Sequence, residues 1–319
     1  MSTPAVQVTT LEKAFGPVQA LRGISFDVEP GELFGFIGPD GAGKSTLFRI
    51  LTTLLVPTAG EARVLGLDPV KELWKLRTRV GYMPGRFSLY PDLTVRENLT
   101  FFAQVFGTTI REQYELIRPI YSQIEPFAER RAGALSGGMK QKLALCCALV
   151  HRPDILFLDE PTTGVDAVSR REFWDLLGVL RQGGLTIVVS TPYMDEADRC
   201  DRVALIQTGR LLRVAAPAAV GAAYEGPLFR VRGADRFRLI QALRAYPNAR
   251  FVFPFGDSLH YTDARTGADA AAIRADVGRY LSAEGFGEVA MEPIDAGIED
   301  AFMALMGAPE AIATVEARR

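Results

Sequence analysis

Residues 33–55 read LFGFIGPDGAGKSTLFRILTTLL, and this stretch decides the fold. Its first five residues, Leu33–Ile37, form an apolar, β-favouring run that predicts a buried strand. Gly38-Pro39-Asp40-Gly41-Ala42-Gly43-Lys44-Ser45-Thr46 follows, and a helix is expected over 44–55, ended by the Pro57–Gly60 turn. Strand, glycine-rich loop, lysine and helix in that order make the P-loop pattern. The glycines let backbone N–H groups wrap a phosphate, and the helix N-terminus adds partial positive charge beneath it. Lys44 then reaches the β- and γ-phosphates, and the Ser45 hydroxyl ligates Mg²⁺.

Working outward, Val6–Leu11 and Gly23–Val28 read as short strands before the loop. Downstream, ILFL (155–158) and TIVV (186–189) are continuous apolar runs of the kind buried on both faces of a parallel sheet. The segment 95–106 has helical spacing, and the region up to about residue 150 reads as mostly helical. Strand–helix alternation of this type implies an α/β core. ILFLDEP (155–161) ends a buried strand in two carboxylates, which is costly unless they meet a cation or a proton. Alone, the pair reads equally well as a helix cap. Beside a P-loop, Asp159 is expected to hold Mg²⁺ through its water shell, and Glu160 to orient and deprotonate an attacking water.

Leu135-Ser136-Gly137-Gly138-Met139-Lys140-Gln141 stands before an apolar helix, 23 residues ahead of Asp159. A lone Ser-Gly-Gly would be only a cap. Between a P-loop and an Asp-Glu strand it resembles the signature of the ABC ATPases, and the likeness runs from residue 5 to residue 215. The resemblance implies a P-loop NTPase fold of ABC type with a mostly helical signature subdomain, ATP and Mg²⁺ as ligands, and ATP hydrolysis coupled to transport. It implies that Ser136, Gly137 and Gly138 grip the γ-phosphate held by an opposing subunit. It places Phe15 where an aromatic stacks on adenine, against the alternative of an ordinary core phenylalanine. It makes Gly164-Val165-Asp166 the loop through which paired subunits sense each other. TVRENLTFF (94–102) and IEDAFMALMG (298–307) look like the ATPases of ABC-2 type exporters, including drug-resistance exporters. The partners so implied are a second ATP-binding subunit and ABC-2 type permease subunits at the cytoplasmic face of the membrane.

Three positions depart from the family. Asp40 stands where Asn is usual, a mild change if the side chain points outward. Gly85, in Gly81-Tyr82-Met83-Pro84-Gly85-Arg86, replaces a glutamine that contacts Mg²⁺ and the attacking water. Pro192, in Ser190-Thr191-Pro192-Tyr193-Met194-Asp195-Glu196-Ala197, replaces the switch histidine. The chain has two histidines, His151 and His260, and neither lies in a switch. Losing one hydrogen bond to a charged group costs on the order of ten- to a hundredfold in rate. The ATP-binding parts and Glu160 are kept, so this chain's own site is expected to be slow. The intact LSGGM favours a heterodimer whose other site it completes, with a homodimer as the alternative pairing. A regulatory subunit with little hydrolysis and a non-transport ABC protein are the competing readings.

The Ala-rich stretch 215–227 marks a domain boundary, giving an ATPase domain over 1–218 and an accessory domain over 219–319. Beyond the boundary the pattern reads strand 228–232, helix 236–246, strands 250–255 and 258–262, helix 268–283, strand 287–292 and helix 297–306. Ile273, Val277, Tyr280 and Leu281, then Ile298, Phe302 and Leu305, fall at helical spacing. That order suggests a small ferredoxin-like α+β domain. A net charge of −2 gives no footprint for nucleic acid. Cys146, Cys147 and Cys200 lack zinc spacing and read as buried free thiols. The longest central apolar run, LALCCALV (143–150), is far short of the roughly 18 residues that cross a bilayer. Cargo is not legible.

Overall fold

The computed structural model describes residues 3–306, so Gly307 of the IEDAFMALMG segment and everything after it lie outside the described residues. The chain divides into two compact units, the first ending at Pro217 and the second beginning at Ala218. The first unit opens with β1 (Val6–Phe15), β2 (Val18–Val28), β3 (Leu33–Ile37), α1 (Lys44–Leu51), β4 (Ala59–Val64), α2 (Leu73–Arg77) and β5 (Val80–Met83). It continues with α3 (Val95–Val105), α4 (Ile110–Tyr121), α5 (Gly137–Leu149), β6 (Ile155–Asp159), α6 (Ala167–Gln182), β7 (Thr186–Thr191), β8 (Arg202–Gln207) and β9 (Arg210–Ala215).

Six strands form the central sheet in the order β5-β6-β7-β3-β8-β9, parallel from β5 to β8 with β9 antiparallel at one edge. Every residue of β3, β6 and β7 is buried, which is why each carries a continuous apolar stretch, LFGFI, ILFL and IVV. A second, antiparallel sheet has the order β2-β1-β4. Aromatic rings join the two: Phe26 lies 4.9 Å from Phe36, Phe36 5.9 Å from Phe48 on α1, and Phe48 5.7 Å from Phe157. Edge-to-face contacts at these separations add to their burial. Between β5 and β6 the chain is helical, as expected. Both α3 and α4 open on capping boxes, Thr94 with Glu97 and Thr109 with Glu112, and both helices pack on buried α5.

Several boundaries differ from the sequence reading. α1 ends at Leu51, not residue 55: the Thr52 hydroxyl bonds Phe48 O at 2.8 Å, Thr53 turns to φ +68°, and Arg77 Nε donates to Thr53 Oγ1 at 2.7 Å. Leu54 and Leu55 extend the apolar pattern but not the helix. β1 and β2 outrun Val6–Leu11 and Gly23–Val28 because they form one long hairpin, closing on Phe15 opposite Val18. β4, β5, β8 and β9 carried no reading of their own. The three cysteines are buried free thiols, and burial pushes each thiol's pKa up. Among the described residues no helix is long and apolar enough to cross a membrane.

The second unit holds α7 (Pro217–Ala222, beginning at the boundary), β10 (Leu228–Arg232), α8 (Arg236–Ala245), β11 (Ala249–Phe255), β12 (Ser258–Asp263), α9 (Ala270–Ala283), β13 (Ala290–Pro293) and α10 (Ile298–Met306). Its four strands pair antiparallel in the order β11-β12-β10-β13. Leu239 and Leu243 of α8 and Ile273, Val277 and Leu281 of α9 bury against Phe229, Val231, Val252, Leu259 and Tyr261. Tyr280 is half-buried, as is Leu305 of α10. α10 is held by a 2.6 Å bond between Asp300 Oδ1 and His260 Nδ1. The last strand starts at Ala290, three residues later than expected, because residues 286–289 form no ladder.

Candidate nucleotide site

The P-loop leaves the carboxyl end of β3, where open parallel sheets place their ligand crevices. Its turn depends on Gly43, which caps α1 at φ +106°; a Cβ there would also meet Ala20 O at 2.6 Å. Gly38, Gly41 and buried Ala42 form the loop, Pro39 and Asp40 are exposed, and Ser45 and Thr46 are half-buried at the helix start. The exposure of Asp40 directs its charge to solvent. Lys44 is 3% exposed. Its ammonium donates to Gly38 O at 2.7 Å and Pro39 O at 3.0 Å, and pairs with Glu160 Oε1 at 3.1 Å.

Asp159 ends β6, one strand away from the P-loop strand, and is buried. Glu160 follows in the left-handed region at φ +49°, uncommon for a residue with a side chain. Its amide donates to Ser190 O at 3.0 Å and Ser190 Oγ at 3.1 Å. The structure thus brings Lys44, Asp159 and Glu160 together across the ends of β3 and β6. Gly85 belongs to the same place: a Cβ there would sit 3.0 Å from Asp159 O and 3.7 Å from Glu160 Cβ. Position 85 therefore adjoins the backbone of the Asp-Glu pair and has no side chain to offer it. Pro192 follows the last residue of β7 and has no N–H to donate.

The signature residues lie elsewhere. Ser136 caps α5, its hydroxyl accepting from Met139 N at 3.4 Å. A Cβ at Gly138 would meet Ser169 Oγ at 2.6 Å, and one at Gly137 would lie 3.5 Å from Gly164 O. Among the described residues no hydrogen bond or ion pair joins Ser136 to Lys44 or Glu160. Asp166 of the Gly164-Val165-Asp166 loop caps α6, accepting from Val168 N and Ser169 N. Phe15, at the tip of the β1–β2 hairpin, is 49% exposed, with Lys13 Nζ 5.1 Å from its ring centre. That exposure removes the core-phenylalanine alternative.

The sequence reading missed Glu196. It is buried, accepting from Thr162 Oγ1 at 2.8 Å and Thr191 Oγ1 at 2.5 Å, with Arg170 Nε at 3.8 Å. This ties the loop after Asp159 to the segment around Pro192. Nothing local distinguishes Glu196 from its exposed neighbour Asp195; only the fold does. A cleft of about 450 Å³ lies between the sheet edge and the helices, lined by Leu54, Trp74, Tyr82, Phe102, Val105 and Phe106 among others. Trp74 is 75% exposed and Val105 61%, an unusual amount of bare apolar surface.

Comparison with known proteins gives this geometry a lineage. Residues 21–163 match the family model described as ABC transporter. The chain is 45% identical over 214 residues to the probable multidrug ABC transporter ATP-binding protein YbhF of Escherichia coli, covering 66% of this chain and 37% of that protein. It thus spans little more than a third of that relative's length. It is 39% identical over 251 residues to the Nod factor export ATP-binding protein I of a Rhizobium species, covering 77% of this chain and 82% of that one. Among solved structures, cbiO1 from Clostridium perfringens, part of the ABC transporter complex cbiONQ, superposes with a TM-score of 0.63 at 27% identity. That match covers 70% of this chain and 92% of cbiO1. The ATP-binding cassette MJ0796, solved as a dimer bound to ADP and Pi, gives 0.60 at 28%, covering 66% and 98%. A P-loop facing an Asp-Glu strand end, a capped signature helix and these relatives agree: the chain belongs to the ATP-binding proteins of ABC transporters.

Proposed function

We propose that this chain binds and hydrolyses ATP to drive an ABC-2 type membrane exporter, residues 1–218 forming the ATPase domain. The observation that carries the reading is the meeting of Lys44, Asp159 and Glu160 at the ends of β3 and β6. The names of the relatives, multidrug and Nod factor export ATP-binding proteins, support the exporter class. Lys44 and the loop amides bind the β- and γ-phosphates, and exposed Phe15 stacks on adenine. The hydroxyl of Ser45 and the carboxylate of Asp159 are hard oxygen donors, the kind Mg²⁺ takes alongside nucleotide phosphates. Among the described residues no group of three or more His, Cys, Asp or Glu side chains forms a metal cage, and a phosphate-borne Mg²⁺ requires none. When bound, Mg²⁺ neutralises charge developing on the phosphates. Glu160 orients a water and accepts its proton as the oxygen bonds to the γ-phosphorus, while the bond from that phosphorus to the β–γ bridging oxygen breaks and ADP leaves.

Gly85 adjoins this site without a side chain and Pro192 without a donor, so hydrolysis in this chain's own site is slow. Among the described residues no hydrogen bond or ion pair joins Ser136 to Lys44 or Glu160, which supports the reading that Ser136, Gly137 and Gly138 complete a site on a second subunit. The pairing we favour is a heterodimer with an ATPase carrying Gln and His at the two positions; a homodimer would make both sites slow. The apolar cleft around Trp74 receives a permease subunit, which places the protein peripherally at the cytoplasmic face of the membrane. Residues 219–319 make up an accessory domain, and a ferredoxin-like topology for its described part, up to Met306, is supported by the β11-β12-β10-β13 strand order. The two departures also favour a second reading, a regulatory subunit that closes on ATP and scarcely hydrolyses it.

Two variants in the reconstituted transporter test the asymmetric reading. Ser136→Arg, which blocks the partner's site, is expected to stop turnover, and Glu160→Gln to leave much of it. Equal loss from both overturns asymmetry and favours the homodimer. Retention of full turnover in both removes the chain from the catalytic cycle.

A further inference from the structure

We infer that Ser190 is the positioning residue of the nucleotide site, fixing both carboxylates of the Asp-Glu pair through one hydroxyl. This deepens the nucleotide-site reading above and rests on it. Ser190 stands on β7, fully buried and directly opposite Asp159 in the parallel register. Its Oγ donates to Asp159 Oδ1 at 2.6 Å and accepts from Glu160 N at 3.1 Å. A hydroxyl has one proton and two lone pairs, so one side chain can serve the two residues at once.

A buried serine that merely satisfies a strand end would be a bland explanation, and the hydrogen-bond count argues against it. The Glu160 amide already has the Ser190 carbonyl at 3.0 Å, so the ladder does not need Oγ. The hydroxyl proton goes instead to Asp159, a buried carboxylate for which no other side-chain donor is recorded among the described residues. Short hydrogen bonds of this kind to an ionised acceptor are the directional ones. Fixing Oδ1 fixes the rotation of the carboxylate, and so the direction in which Oδ2 faces. The same oxygen of Ser190 helps hold Glu160 at φ +49°, the backbone turn that sends its side chain to Lys44.

Two features give Ser190 more weight here. The neighbouring positions are Gly85, with no side chain to brace Asp159 or Glu160, and Pro192, with no N–H. Among the described residues, the side-chain hydrogen bonds that reach the Asp-Glu pair from β7 are those of this hydroxyl. Ser190 acts through Asp159 and Glu160 and touches no reacting atom.

The experiment compares the wild-type chain with Ser190→Ala, and with Ser190→Cys, which keeps the size but is a weak donor. Each is saturated with ATP in chelator, then titrated with Mg²⁺ while the melting temperature is followed, a readout that needs no turnover. The ATP-only stabilisation is expected to be the same in all three, since Lys44 and the loop are untouched. The Mg²⁺ concentration at half-maximal stabilisation is expected to rise about ten- to a hundredfold in both variants, with kcat falling and KM for ATP held within about twofold. Ser190→Thr, which keeps the hydroxyl, is expected to stay within about threefold of wild type on every measure. If Ser190→Ala does not fold, Ser190→Cys carries the comparison. A wild-type Mg²⁺ midpoint in the Ala or Cys variant overturns the inference. If the wild-type chain itself shows no ATP stabilisation, the nucleotide-site reading fails, an outcome distinct from failure of the Ser190 assignment.

Discussion

At the scale of single residues, Glu160 sits where charge and strain meet. Its carboxylate pairs with Lys44 at 3.1 Å, and its backbone holds the left-handed region. Glu160→Gln keeps size and backbone preference and removes only the charge and the basicity. In the isolated chain it is expected to slow hydrolysis at the chain's own site by about 10²–10⁴-fold, the usual worth of a positioned base, with ATP affinity retained. Steady-state phosphate release with a parallel binding measurement checks this. A wild-type rate would mean that Glu160 is not the base. The residues fixed by chemistry were the legible ones: a lysine and hydroxyl must follow a glycine loop, and two acids must end a buried strand, whatever the rest of the chain does. Glu196 was not legible, because Asp195 and Glu196 look alike until β7 and α6 close over one of them.

At the scale of elements, burial on both faces made β3, β6 and β7 visible as apolar runs, while β4, β5, β8 and β9 stayed hidden. β9, RLLRVA, lies at the sheet edge with no residue fully buried, so its strand character comes from pairing with β8 rather than from composition. The end of α1 was hidden for a related reason: Leu54 and Leu55 continue the periodicity, and it is the left-handed turn at Thr53, bonded by Arg77, that shows the helix has stopped. Helix starts are more local. Thr94 accepts from Glu97 N at 3.1 Å while Glu97 Oε2 accepts from Thr94 N at 2.8 Å. Thr94→Ala is expected to cost about 1 kcal/mol, which lowers the melting temperature of a unit this size by about 2–4 °C. Calorimetry of the two chains checks it; an unchanged midpoint would show that the packing of α3 on α5 makes the cap redundant.

At the scale of the whole molecule, all the residues proposed to touch nucleotide lie before Pro217, and the second unit has a closed core of its own. A chain ending near Gly226 is therefore expected to bind ATP with nearly unchanged affinity. A large loss with the first unit still folded would show that the second unit completes the site. The succession of strands and helices in that second unit was legible in its residues, whereas its strand order came only with the fold, and its partners and purpose have no signature in the residues. The proposed ATP site is Lys44 and the loop around it. It is tested most directly by thermal stabilisation of the wild type and of Lys44→Ala at an ATP concentration about a hundred times the wild-type dissociation constant. The expected result is a stabilisation of about 2.7 kcal/mol for the wild type and loss of most of it in the variant, with both chains equally folded without nucleotide. Equal stabilisation of the two would contradict the assignment of the P-loop as the ATP site.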